Sequence, residues 1–461
     1  MTEFPMPSTA TQTNDNQTND NLGRGLRRPR VCFVTTRPAW PMYPGYRLRT
    51  ANLLRALSIM ADVEAVFILP DDELSDPLPP DLVGMKVHVV PAPRLSVPRA
   101  LLSWTVSRRP MPMLKVNWAM AAPHVASLTD PARCDAVFVT PSTAWDAVRD
   151  VRVPIVCDLD DLDDYKILHR LSDHGNYPNG SRGLAHRAMD RREVRRWRRL
   201  YSEMKQRSRC LVVCSEIDRE RLGVSHVRSL PNVYPVPERI AVTSRNDETR
   251  TTTNGPSVKP AEAAGPSVLF VGDLTYRPNL EAFAFLEQLM PEVWRARPDI
   301  VVEVVGKNAF SNRIDDPRFR IHGSVPELAP YLDRATIVVA PLRSGGGTRI
   351  KILEAFAHRI PVVSTTVGCE GLAVTHGEQL LIADSADSFA NEIIRLAGDH
   401  ELSLSVAEHG FALFERSYTF AALVNLLHEV MAFSIGSSAQ VEPLSTSQGS
   451  LPLGKVPRPT R

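Results

Sequence analysis

The sequence predicts an α/β fold of two doubly wound, Rossmann-like domains facing across a cleft, and three observations carry that reading. Short runs rich in β-branched and aromatic residues recur between helical patterns, and they are apolar throughout rather than alternating, as parallel strands covered on both faces require. The rhythm stops once, over residues 243–266 (TSRNDETRTTTNGPSVKPAEAAGP), where large apolar residues almost vanish, and then resumes. The length of 461 residues matches two or three domains at about 100–200 residues each.

In chain order, residues 1–30 are rich in Thr, Asn and Gln, cannot repay their ordering entropy, and read as a disordered tail. They contain no apolar core of a signal peptide and no lipidation motif, so the expected location is the cytoplasm. The first domain, 31–242, carries strand runs at 31–36, 63–69, 86–90, 136–140, 155–159 and 210–214. After the linker at 243–266, the second domain, 267–433, repeats the pattern at 268–271, 300–305, 337–340, 361–364 and 379–382. Leu280, Phe283, Leu286, Met290 and Val293 follow three- and four-residue steps along a helical stripe that Pro291 should kink or restart. Residues 434–461 form a second polar tail. Strand–helix alternation through both halves gives parallel sheets, and ligands of such sheets lie beyond the carboxyl ends of the strands.

Composition narrows the function classes. Fifty-four Lys and Arg nearly cancel 52 Asp and Glu, leaving +2, which does not call for nucleic acid. The most apolar stretch, 418–435, is broken by Asn425, His428 and Glu429, so no membrane-spanning segment is expected. The six cysteines lack the paired spacing of a zinc site and read as reduced, buried small hydrophobes.

The most informative stretch is 338–366, VVAPLRSGGGTRIKILEAFAHRIPVVSTT: strand, glycine-rich turn, helix, strand. Gly345, Gly346 and Gly347 let backbone approach an anion, Thr348 can cap the following helix, and the helix start aims free amides and a positive dipole end forward. Arg343, Arg349 and Lys351 place cations where they could complement a diphosphate. Glu354, on the stripe of Ile350 and Lys351, could accept hydrogen bonds from ribose hydroxyls. The spacing matches neither the Walker loop nor G-x-G-x-x-G, which argues against an ATPase or a dinucleotide enzyme.

This passage resembles the donor-binding segment of glycosyltransferase family four, retaining enzymes of the two-domain GT-B architecture. VLFVGDLTYRPN (268–279) resembles the first strand and glycine turn of that family's second domain; LVVCSE (211–216) and LPNV (230–233) resemble the end of its first, and SYTFAALVNLLHEV (417–430) its closing helix. The G-G-x-x-x-K-x-x-E-A pattern at 346–355 resembles the subset acting in polysaccharide or glycolipid assembly. The family's paired acids are halved here: Glu354 holds the second position and Gly346 the first. Asp273 follows Gly272 where a cation is usual, which leaves Arg277, Arg343 and Lys351 for the diphosphate; Arg277 reads equally as a solvated loop cation.

In the first half, RPAWPMYPGYRLR (37–49) ends a strand in a Pro/Gly turn at the place where the family brings a glycine loop to the donor phosphates, making Gly45 and Arg49 candidates beside the plain-turn reading. Trp40 and Tyr43 either line an acceptor pocket or pack. PIVCDLDDLDDYK (154–166) ends a buried strand in Asp158, Asp160, Asp161, Asp163 and Asp164. By the resemblance, Asp160 and Asp161 occupy the family's His-Asp pair and become the candidate catalytic residues; a solvated, helix-capping acid cluster is the alternative. Metal is not expected, because enzymes of this fold neutralise phosphate with dipoles and cations. The stretch 186–209 sets Arg187, Arg191, Arg192, Arg195, Arg196, Arg198 and Arg199 around Val194, Trp197, Tyr201 and Met204: a solvated face whose stripe docks on the domain, or a peripheral contact with the inner face of a membrane.

The resemblance therefore implies transfer of a hexose from a nucleotide-diphosphate sugar to a glycan or lipid-linked acceptor, with retention, and with no cofactor beyond that co-substrate. A sugar-nucleotide epimerase or hydrolase of the same fold, and a non-catalytic nucleotide-binding scaffold, are the rivals.

Overall fold

The computed structural model describes residues 27–39, 45–70, 84–172, 181–237, 265–307, 316–345 and 349–436. Most of both tails and most of the 243–266 linker fall outside these, while Arg30 belongs to the first strand and Ser434 and Ile435 to the last helix.

The first domain is a seven-stranded parallel sheet in the order β3-β2-β1-β4-β5-β6-β7, and the second a six-stranded parallel sheet in the order β10-β9-β8-β11-β12-β13. The strands are β1 (Arg30–Thr35), β2 (Asp62–Leu69), β3 (Lys86–Pro91), β4 (Ala136–Thr140), β5 (Ile155–Asp160), β6 (Cys210–Val213), β7 (Val227–Ser229), β8 (Ser267–Val271), β9 (Val301–Val305), β10 (Phe319–Gly323), β11 (Ile337–Ala340), β12 (Val362–Ser364) and β13 (Leu381–Ile382). Every run predicted from sequence is present. The two strands that sequence misses, β7 and β10, are edges: β7 is three residues long, and β10 alternates half-buried and exposed positions, so neither shows an unbroken apolar run. The two-domain GT-B architecture expected from sequence is thus the observed one.

The helices that matter below are α1 (Gly45–Met60), α2 (Val97–Val106), α3 (Asp163–Ser172), α4 (Ser181–Arg207), α5 (Glu216–Leu222), α6 (Arg277–Ala296), α7 (Ile350–Ala357), α8 (Ala386–Gly398), α9 (His400–Ser417) and α10 (Phe420–Ile435). α6 runs through Pro291 without restarting; Leu289, Met290, Val293 and Trp294 bury into the second domain's core on either side of the proline. The boundary drawn at 433 needs a correction. Leu423, Val424, Leu427, Val430 and Met431 of α10 pack with α1 and the first sheet, so the closing helix crosses back to the first domain. Their apolar character serves that core, and Arg209 and Arg228 stack over Phe433 at its edge.

The arginine-rich stretch forms most of α4. Trp197, Leu200, Tyr201 and Met204 lie in the first domain's core, so the apolar stripe of α4 is spent on packing and offers nothing to a membrane. All six cysteines are free and buried.

Candidate functional site

The carboxyl ends of both sheets face one crevice. From the first domain, Asp161, Leu162, Tyr165, Lys166, His169, Cys214, Ser215, Asp218 and Arg221 line it; Gly345, Glu370 and Gly371 come from the second. Its cavity volume is only about 30 Å³, room for roughly one water. Arg221 closes it, donating to Glu370 Oε1 across the gap at 2.7 Å and to Asp218 at 3.1 Å while stacking over Tyr165.

The five carboxylates of 154–166 have separate fates. Asp158 is buried and serves the fold. Arg49 donates Nη2 and Nε to its two oxygens at 2.6 and 3.0 Å, and Thr140 donates to it at 2.7 Å. Arg49 also donates to the carbonyl of Leu230 and to Asn232 Oδ1, so it is a clamp inside the domain and not a phosphate ligand; its charge is locked on by Asp158 and Asp160, whose pull outweighs the cost of burial. Asp160 sits at a register shift at the end of β5 with φ +63°, a strained conformation for a residue with a side chain. Burial opposes its charge, but Arg49, then Arg37 and Lys166, hold its carboxyl below the ordinary aspartate range, and Arg37 donates to it at 2.9 Å. Asp161 faces the crevice, takes the thiol hydrogen of Cys214 at 2.8 Å and pairs with Lys166 at 3.1 Å. Burial and the charges of Asp161 and Asp160 keep Cys214 a thiol. Asp163 and Asp164 open α3, where they complement its dipole, and Asp164 pairs with Arg198. Asp160, Asp161 and Cys214 are close enough to share a cation. Arg37, Arg49 and Lys166 already supply the compensating charge.

On the opposite wall, Gly345 adopts φ +103° and lines the crevice, its carbonyl accepting from Arg349 at 3.0 Å. Gly346, Gly347 and Thr348 lie outside the described residues, as do Trp40 and Tyr43. The helix cap falls on Arg349 and not on Thr348, because α7 starts at Ile350. Gly45 is the first residue of α1. Arg343 is exposed and stacks 5.3 Å from the Phe285 ring, away from the crevice lining. Arg277 is also exposed and pairs with Glu281, whose other oxygen accepts from Ser344; it therefore touches the loop through one acid.

Lys351 and Glu354 behave differently from these surface cations. Gly272 has no room for a side chain because Asn279 packs 2.9 Å from where its Cβ would be. Asn279 donates to the Asp273 carbonyl and presents its oxygen to Lys351 Nζ at 3.0 Å. That neutral oxygen is the only hydrogen-bond acceptor Lys351 has among the described residues, and the ammonium rests 5.0 Å from the Phe270 ring. Burial, then the nearby Arg349, brings its pKa down to about 7, against the pull of Glu354. Glu354 has no hydrogen bond or ion pair among the described residues, and burial pushes its carboxyl up to about 7 against the effect of Lys351. It lies near Tyr234, whose amide donates to Tyr418 where the chain crosses between domains.

Sequence reasoning missed Arg37, Lys166, Cys214, Arg221 and Glu370. The signal for Cys214 was available: it follows β6, next to β5, at the same carboxyl edge as Asp160.

Residues 265–399, which hold the Lys351–Glu354 wall, match the family described as Glycosyl transferases group 1. That match covers less than a third of the chain, so it marks a glycosyl transferases group 1 segment within a chain of GT-B architecture. A 44.6 kDa protein in the cps region of Klebsiella pneumoniae is 30% identical over 164 residues, 33% of this chain and 42% of that protein, so the match spans less than half of the relative. Sucrose-phosphate synthase from Thermosynechococcus elongatus superposes with a TM-score of 0.57 at 16% identity, over 88% of this chain and 98% of that one. HepE from Anabaena, in complex with UDP, gives 0.57 at 14% identity, over 87% and 99%. These two likenesses show that the chain shares their fold over both domains.

Proposed function

We propose that this chain transfers a hexose from a nucleoside-diphosphate sugar to a glycan or lipid-linked acceptor, with retention of configuration. One observation carries the reading: within the group 1 segment, α7 holds a cation and a carboxylate one turn apart, both half-buried and short of partners, beside a glycine turn that lines the interlobe crevice. Such groups suit a ligand with its own anion and hydroxyls. HepE, of the same fold, has been solved with UDP and with UDP-glucose, which makes UDP the first nucleotide to test.

In this reading Glu354 accepts from the ribose hydroxyls and Lys351 leaves Asn279 for the diphosphate. The free amides at the start of α7, with Arg349 behind them, stabilise charge on the departing phosphate as it develops. The bond from the sugar's anomeric carbon to the phosphate oxygen breaks. The acceptor oxygen bonds to the same face, and its proton passes to an oxygen of the leaving diphosphate. Asp161 orients the acceptor from the first domain, while Asp160 keeps Arg37 in place beside it. Closure of the crevice excludes the water that would hydrolyse the donor. Calorimetry with UDP and GDP tests the reading: one of them is expected to bind, and binding of neither overturns it. Donor consumption with the acceptor omitted would point instead to an epimerase or hydrolase.

A further inference from the structure

Helix α2 turns an apolar face to solvent. At 100° per residue, Val97, Leu101, Leu102 and Val106 cover one half of its circumference, and they are 72%, 44%, 69% and 80% exposed. The other half is fixed. Trp104 is buried with its indole N–H donated to Glu193, lies under Arg192 and Arg196 at 4.4 and 4.5 Å, and those arginines donate to the carbonyls at the end of the helix. The exposed face is therefore held outward by a well-bonded contact with α4, not left over from a loose helix.

The acids on the neighbouring α4, such as Glu193, are paired, and the charge left over around this face is positive. No Asp or Glu occurs from Lys86 through Thr129, whereas Arg99 and Arg108 flank the apolar positions. On the neighbouring α4, Arg191, Arg195 and Arg199 are exposed at four-residue steps and form no ion pair among the described residues, and Leu184 beside them is 70% exposed. A second copy of the chain would set like charges against each other here. An anionic bilayer satisfies both features, because a helix lying in the interface buries one apolar face and places cations at the headgroups.

We propose that α2 is an interfacial docking helix that seats this chain on an anionic membrane, with the exposed arginines of α4 as its electrostatic partner. α4 packs on α3, which lines the crevice, so a lipid-linked acceptor held in the same bilayer would find the crevice one helix away. The docking claim stands on α2 and α4 alone; only this last consequence rests on the proposed activity.

The test is sedimentation of the full chain with vesicles of phosphatidylcholine, with and without phosphatidylglycerol. Binding is expected with the anionic lipid and to weaken with salt. Leu101→Ser/Leu102→Ser should lower partitioning at least about tenfold, and Arg191→Ser/Arg195→Ser/Arg199→Ser about fivefold per arginine while flattening the salt dependence. Far-UV circular dichroism confirms that each variant is folded. No sedimentation with anionic vesicles overturns the proposal, as does sedimentation unchanged by both variants. A wild-type dimer that Leu101→Ser/Leu102→Ser converts to monomer also overturns it, making the face a contact between copies. UDP calorimetry is a separate readout, so failure of the activity and failure of docking are distinguishable.

Discussion

Each domain sets a cation and a carboxylate near the carboxyl end of its sheet, and the two sets are built on opposite terms. Around Arg49 and Asp158 the protein supplies a full set of partners: two charge-assisted bonds between them, Thr140 on the acid, and a carbonyl and an amide oxygen on the cation. Around Lys351 and Glu354 it supplies, among the described residues, one amide oxygen. Burial moves both members of the second pair toward their neutral forms, whereas Arg49 stays charged despite burial. A completed network holds structure; on the proposed function, the incomplete one takes its missing partners from the nucleotide.

The strongest way to break this comparison is Asp158→Ala. With its carboxylate gone, Arg49 is left charged in the core, and urea unfolding should show a loss of about 3–5 kcal/mol. A loss under about 1 kcal/mol would mean that the first pair is no more structural than the second. Next in size is Glu354→Gln, which leaves the fold intact and should weaken the nucleotide by about 1–3 kcal/mol through lost charged hydrogen bonds. In the double variant Lys351→Met/Glu354→Gln, unfolding stability should hold or rise by about 1 kcal/mol or more while calorimetric binding disappears. Lower stability with retained binding would reverse the assignment.

How much of this was legible follows from where the partners lie. Interior strands such as β4 and β11 are readable because both faces are covered and every position is apolar, whereas edge strand β10 carries Arg320 and His322 among its apolar positions and is not. Three aspartates within four residues at the end of β5, Asp158, Asp160 and Asp161, look alike in sequence. They part company because Arg49 reaches Asp158 across 109 residues and Arg37 reaches Asp160 across 123, separations that local patterns do not encode. Glu354 and Lys351 could be placed on one helix stripe from spacing alone, but their lack of partners depends on Asn279 and on the tightness of Gly272, which only packing reveals. The closing helix was readable as apolar and assigned to the nearer domain in sequence, although its core contacts are with the farther one.

The pH dependence should sharpen the contrast by a smaller amount. Glu354 binds its proton more tightly folded than unfolded, so between its ordinary range and about pH 7 the native state holds more protons and stability falls as pH rises. Lys351 releases its proton more readily folded, so from about pH 7 to its ordinary range the unfolded state holds more and stability rises. Their sum is a shallow minimum near neutrality in a plot of unfolding free energy against pH. It should vanish in Lys351→Met/Glu354→Gln, and UDP should fill it in. A minimum that survives the double substitution would have to come from other groups.

The smallest effect on stability belongs to Arg221, and there the contrast moves from within the domains to between them. Its bond to Glu370 is half-exposed, and pairs of that kind contribute about 0.2–1 kcal/mol. Arg221→Ala should therefore barely change the melting temperature. Yet that bond spans a crevice of only about 30 Å³, so on the proposed function the lobes part before a donor sugar enters. Releasing the latch should raise the association rate of UDP-sugar in stopped flow and widen the particle in small-angle scattering. A variant with wild-type values of both would show that other contacts hold the lobes together, with α10, anchored across both domains' sequence, the next element to loosen.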